Sequence, residues 1–129
     1  MHIALCTGNP KVSKAVEGAV RGRGTPPTIC ESGLQLLGMV RGAAVDLVVL
    51  DLDTPGLNSL FLISAIQEIA PGLPIAAVST SANADSRLLM QKGVSFVQVN
   101  SQPEVEVRAL FAELVRRARH GTRMVGASR

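Results

Sequence analysis

Hydrophobic and polar positions fall into two kinds of block that alternate along the chain. Short, mostly apolar runs recur at His2-Ile3-Ala4-Leu5-Cys6, Thr28-Ile29-Cys30, 46–51, 73–79 and 94–99. Between them, apolar residues repeat at three- and four-residue intervals. A short apolar run bounded by turn residues reads as a strand buried on both faces, and the longer spacing as a helix with one face inward. The most complete run is 45–50, where five of six residues are apolar; Asp51 closes it and Pro55-Gly56 stop the segment.

The helices are bounded by their own signals. Asn9 stands as an N-cap before Pro10, and Val12, Ala15, Val16, Ala19 and Val20 line one face of a helix over 10–21. Ser32 caps a second helix over 33–42, with Leu34, Leu37 and Val40 predicted inward. A third spans 57–70, with Leu60, Phe61, Ser64 or Ala65, Ile66 and Ile69 on the inner face, and Pro71-Gly72 ends it. A fourth starts at Asn83 or Asp85 and ends at Gly93; a fifth opens near Pro103, with Glu104 and Glu106 in its first turn. Arg116, Arg117 and Arg119 sit in its last turn, a charge order that suits the helix dipole.

Strand and helix thus alternate five times, without internal repeat or low-complexity segment. Short connections between parallel strands force right-handed crossovers and helices on both faces. The expected fold is α/β, a doubly wound five-stranded parallel sheet of order 2-1-3-4-5 in three α/β/α layers. Pro26-Pro27 place the second strand at an edge. A chain of 129 residues is one domain by size. The division expected is a unit at 1–120 and a basic tail or start of a linker at 121–129.

Composition narrows the function. The chain is 47% hydrophobic and 18% charged, with no Trp or Tyr and three Phe, so the core is aliphatic. Aromatic platforms for stacking flavins or single-stranded nucleic acid are therefore poorly supplied. Cys6 and Cys30 are too few for a disulfide framework or a zinc site. They read as small buried hydrophobes, with a redox bridge between neighbouring strand ends as the alternative. No basic-then-apolar leader or apolar run of membrane-spanning length is present, so a reducing, cytoplasmic setting without membrane attachment is expected. The net charge of +3 gathers at Arg116, Arg117, Arg119, His120 and Arg123. That end reads as a solvated helix terminus, with an acidic partner or nucleic acid as the alternative.

An aspartate at the end of a buried parallel strand lies at the carboxyl edge of the sheet, where open α/β folds keep their sites. Asp51 holds that place. Thr7-Gly8-Asn9-Pro10, between a strand and a helix N-terminus, offers a second candidate, a phosphate cradle.

These residues carry a family resemblance. Asp46-Leu47-Val48-Val49-Leu50-Asp51-Leu52-Asp53-Thr54-Pro55-Gly56 resembles the third strand of CheY-like receiver domains of two-component response regulators, with its phospho-acceptor aspartate and the proline four residues on. Leu73-Pro74-Ile75-Ala76-Ala77-Val78-Ser79-Thr80 resembles their fourth strand, and Gly93-Val94-Ser95-Phe96-Val97 the entry to the fifth. The resemblance, over about 1–118, implies a flavodoxin-like sheet, Asp51 as acceptor candidate and Ser79 as switch hydroxyl. It also implies Mg²⁺ at the acceptor and a histidine kinase or output module as protein partner.

The chain departs from that pattern where the chemistry is done. The acidic pair expected after the first strand is replaced by Cys6 and Thr7, and the Lys-Pro after the fifth by Asn100 and Ser101; Val97 takes the place of the aromatic switch residue. Asp53 supplies one further carboxylate, in a turn; Asn100 offers an amide donor to Asp51 without a lysine's charge. The reading is an atypical receiver that works as a protein-interaction module in phosphorelay-type signalling, without turnover and without standard Mg²⁺-dependent phosphorylation. The alternative is that a histidine kinase still phosphorylates Asp51. A Thr-Gly-Asn similar to that at 7–9 occurs in flavodoxin phosphate loops, so an FMN or phosphate binder is the third reading. The partner face implied is the fourth helix, fifth strand and fifth helix, with Arg87, Met90, Gln91, Lys92 and exposed parts of 106–117. A homodimer through that face is a further use of it, although it lacks the acidic-aromatic pattern of one large dimerising subfamily. Nucleic acid is expected only through an attached domain.

Overall fold

The structure, a computed structural model, describes residues 2–20, 26–42, 45–79, 86–98, 108–109 and 111–117. In chain order these form β1 (Ile3–Cys6), α1 (Pro10–Val20), β2 (Thr28–Ile29), α2 (Gly33–Gly42), β3 (Leu47–Asp51), α3 (Ser59–Ile69), β4 (Ile75–Ser79), α4 (Ser86–Gln91) and β5 (Ser95–Gln98). Residues 108–109 and 111–117 are helical. The expected helix starts at Asn83 or Asp85 and near Pro103 lie outside the described residues, as do Thr80, Glu104, Glu106 and the tail.

The five strands form one parallel sheet of order β2-β1-β3-β4-β5. Every residue of β1, β3 and β4 is buried, which is why these runs show no polar alternation. Both residues of β2 are exposed, as befits an edge. Side chains alternate across the pleat into two cores. Ile3, Leu5, Leu47, Val49, Ala76 and Val78 meet α1 and the helical stretch 111–117, through Val12, Val16, Phe111 and Val115. Ala4, Cys6, Val48, Leu50, Ile75 and Ala77 meet α2, α3 and α4, through Leu36, Val40, Leu62, Ile63, Ile66 and Leu89.

Caps set the helix starts. Asn9 Oδ1 accepts from Lys11 N–H at 3.0 Å, Ser32 Oγ from Gln35 N–H at 3.1 Å and Asn58 Oδ1 from Phe61 N–H at 3.3 Å. Asn58 thus starts α3 two residues later than the sequence predicts. Gly93, at φ +83°, ends α4 in the left-handed region, and Val94 N–H returns to Leu89 O at 3.0 Å.

Two inward faces differ from expectation. In α2, Leu34 is 83% exposed, whereas Leu36 is fully buried with Val40. In α3, Phe61 and Ile69 are exposed and Leu62, Ile63 and Ile66 are buried. Both segments are apolar most of the way round, so spacing alone leaves the phase open. The close approach of the two helices fixes it: a Cβ on Gly33 would lie 2.9 Å from Leu62 Cδ2.

Candidate functional site

The strand order reverses between β1 and β3, and their carboxyl ends border the crevice that such sheets open for ligands. The pairing Cys6↔Leu50, run on by one residue, sets Thr7 opposite Asp51. By alternation both side chains fall on the α1 side of the sheet, with Leu5 and Val49. Asp51 is 4% exposed and Ser79 fully buried, the two buried polar residues among the described residues.

The Asp51 carboxylate is held from two sides. Thr7 Oγ1 donates to Oδ2 at 2.5 Å, and the Asp53 N–H donates to Oδ1 at 2.9 Å. Ser79 Oγ donates to Asp53 Oδ1 at 3.0 Å, so β4 is tied to the turn after β3. The structure therefore brings together Thr7, Asp51, Asp53 and Ser79. Asn100 lies outside the described residues.

Cys6 points the other way. It belongs to the α2 and α3 core with Cys30, and both are free, buried thiols. Burial pushes the Cys6 thiol above its ordinary value, and nearby Cys30 and Asp51 add to the rise; burial also raises Cys30. A buried neutral thiol gives a hard cation nothing to hold.

A cation of the Mg²⁺ type needs several oxygen ligands anchored by carboxylates. Here the last residue of β1 carries a thiol and the next a hydroxyl, and that hydroxyl donates to the Asp51 carboxylate. Among the described residues no three His, Cys, Asp or Glu side chains come together as a cation site. Among the described residues, the donors at the end of β1 do not fit the ion.

Three backbone donors between β1 and the first turn of α1 are used inside the chain. Gly8 N–H goes to Thr54 Oγ1 at 3.2 Å, Asn9 N–H to Thr7 Oγ1 at 3.0 Å, and Lys11 N–H to Asn9 Oδ1. Pro10 has no N–H to give. A phosphate cradle presents free amides to its ligand, whereas the N–H groups of Gly8, Asn9 and Lys11 are bonded within the chain.

The sequence missed how Asp46 is used. Its Oδ2 accepts from His2 N–H at 2.7 Å, and its own N–H donates to His2 O at 2.8 Å, which clamps the entries of β1 and β3 together. An aspartate directly before a buried strand was the only signal. On the face of α4, β5 and 111–117, a groove of about 470 Å³ is lined by Met90, Phe96, Glu113, Leu114 and Arg117 among others. Arg87, Met90, Gln91 and Lys92 are exposed beside it, and Glu113 pairs with Arg116 at 2.6 Å and Arg117 at 3.3 Å. No helix among the described residues is long and apolar enough to cross a membrane.

No protein-family model matches the sequence, and a search of curated proteins finds no significant match. Solved structures do match. A CheY-like response regulator receiver domain protein from Methanospirillum hungatei JF-1 superposes with a TM-score of 0.75 at 13% identity, covering 95% of this chain and 97% of that one. A response regulator from Hahella chejuensis gives 0.74 at 20% identity, over 88% and 93%. A chain described as an adenylate cyclase from Rhodopirellula baltica gives 0.75 at 17% identity, over 98% and 95%. The fold is that of CheY-like receiver domains.

Proposed function

We propose that this chain is an atypical receiver domain, a signalling module that acts through protein contacts and does not depend on Mg²⁺-assisted phosphorylation. One observation carries the reading. Each oxygen of Asp51 accepts a hydrogen bond from the chain itself, Oδ2 from the Thr7 hydroxyl and Oδ1 from the Asp53 amide. Both donors are neutral, and although each oxygen keeps a second lone pair, phosphoryl transfer to a carboxylate also needs positive charge on the transferring oxygens. Asp51 instead ties β1 to β3 and to the turn beyond.

In this reading the receiver-like unit is 1–120, and 121–129 is a basic tail or the start of a linker. The partner is a histidine kinase or an output module, met in the cytoplasm through α4, β5 and 111–117, and the module itself turns nothing over. A second reading, in which a kinase phosphorylates Asp51, draws on the Ser79 hydroxyl that closes the same cluster through Asp53.

Thermal denaturation with Mg²⁺ or Mn²⁺ separates the two. A ligand of the folded state at 100 times its Kd stabilises by about 2.7 kcal/mol. We expect a midpoint that millimolar cation does not move. A cation-dependent rise that Asp51→Asn abolishes would support the second reading instead.

A further inference from the structure

Cys6 and Cys30 are opposite one another on neighbouring parallel strands. The pairings Ala4↔Thr28 and Leu5↔Ile29 run on to Cys6 and Cys30 as the next pair. The Cys30 N–H donates to Leu5 O at 2.8 Å, which keeps the two chains in step just past β2. Both side chains enter the same core layer, where the Cys30 thiol donates to Met39 Sδ at 3.8 Å, and each is 2% exposed. Neighbouring strands lie about 4.8 Å apart. Disulfides span Cα separations of about 4.4–6.8 Å, so bridging this pair needs little backbone movement.

Two further features turn neighbours into a functional pair. Thr28 and Ile29 make up the whole of β2, both are exposed, and the strand is at the sheet edge. Short edge strands open locally at small cost, which gives a dissolved oxidant access to Cys30 without global unfolding. Cys6, in turn, directly precedes Thr7, whose hydroxyl holds Asp51.

We infer that Cys6 and Cys30 are a reversible dithiol–disulfide pair, a redox modification site between β1 and the edge strand. The oxidant is a low-molecular-weight disulfide of the glutathione class. The Cys30 thiolate attacks one sulfur of that disulfide and expels the first thiolate, leaving a mixed disulfide on Cys30. The Cys6 thiolate then attacks the Cys30 sulfur and expels the second. Overall the two protein thiols lose two protons and two electrons, and the small disulfide gains both to become two thiols. Burial keeps both cysteines protonated at neutral pH, so the exchange is slow there and quickens in mild alkali. The inference does not rest on the reading of Asp51.

The test is incubation of the full chain with oxidised glutathione in mild alkali. Acid quenching, alkylation under denaturing conditions, intact mass and peptide mapping follow. The expected product is monomeric, two hydrogens lighter, with one cross-linked peptide pair joining Cys6 to Cys30, and dithiothreitol returns it to the starting mass. Cys6→Ser stops at a single glutathione adduct on Cys30. A mixed disulfide on the unaltered chain that never resolves, a cross-link between two chains, or two thiols that stay fully alkylatable would each overturn the inference. The mapping uses the unaltered chain, so the result stands even if a serine variant folds poorly.

Discussion

The Thr7 hydroxyl donates to Asp51 Oδ2 at 2.5 Å across the gap between β1 and β3. The same oxygen of Thr7 accepts the Asn9 N–H at 3.0 Å. One hydroxyl thus joins the acidic rim to the N-terminus of α1. A carboxylate at that place would repel Asp51 and call for a cation; a threonine satisfies it.

Replacing Thr7 with valine removes the hydroxyl that bonds a buried carboxylate oxygen of Asp51 and the Asn9 N–H. We expect a loss of about 1–3 kcal/mol, the usual cost of a stranded buried polar group. Urea denaturation measures it. Thr7→Ser keeps the hydroxyl and should retain most of the stability, which separates the bond from simple packing.

Helix phase gives a sharper contrast. Ile63 is fully buried and Leu34 is 83% exposed. Ile63→Ala should cost about 2–5 kcal/mol through lost burial and the cavity left behind. Leu34→Ala should stay within about 0.5 kcal/mol. Denaturation midpoints of the two variants check the assignment of inner faces directly.

Ser59 Oγ is buried at the first turn of α3 and finds no partner among the described residues. Ser59→Ala removes a desolvated hydroxyl and adds a better helix former. The expected outcome is a neutral or raised melting temperature, against the usual sign for a core substitution.

The thiols give stability a pH dependence. Burial raises both above the ordinary value of 9.0, so the unfolded chain releases these protons first. Their contribution is full below pH 9.0 and is lost as pH rises from there through the folded pKa values. Urea midpoints at rising alkaline pH should fall less in a Cys6→Ala, Cys30→Ala double variant than in the unaltered chain.

Strand order, element sequence and the location of Asp51 were legible because they depend on local pattern. Continuous apolar runs such as 47–50 announce burial on both faces, and a doubly wound sheet follows from the alternation. The inner faces of α2 and α3 were not legible. Leu34, Leu36 and Leu37, like Leu60 through Ile63, offer too many apolar choices, and only contact with a neighbour such as Gly33 against Leu62 selects among them. The cluster was legible as polar residues at strand ends but not as a set of bonds. That Thr7 faces Asp51 depends on the β1–β3 register, and that Ser79 meets Asp53 depends on the turn after β3. Neither is written in residue spacing.

The claim that Asp51 serves the fold and accepts no phosphoryl group has a direct test. The chain is incubated with acetyl phosphate and Mg²⁺ beside an Asp51→Asn control, and intact masses are read before hydrolysis proceeds. The account predicts that both proteins keep their starting mass. A gain of one phosphoryl group by the unaltered chain, absent from the control, would contradict it.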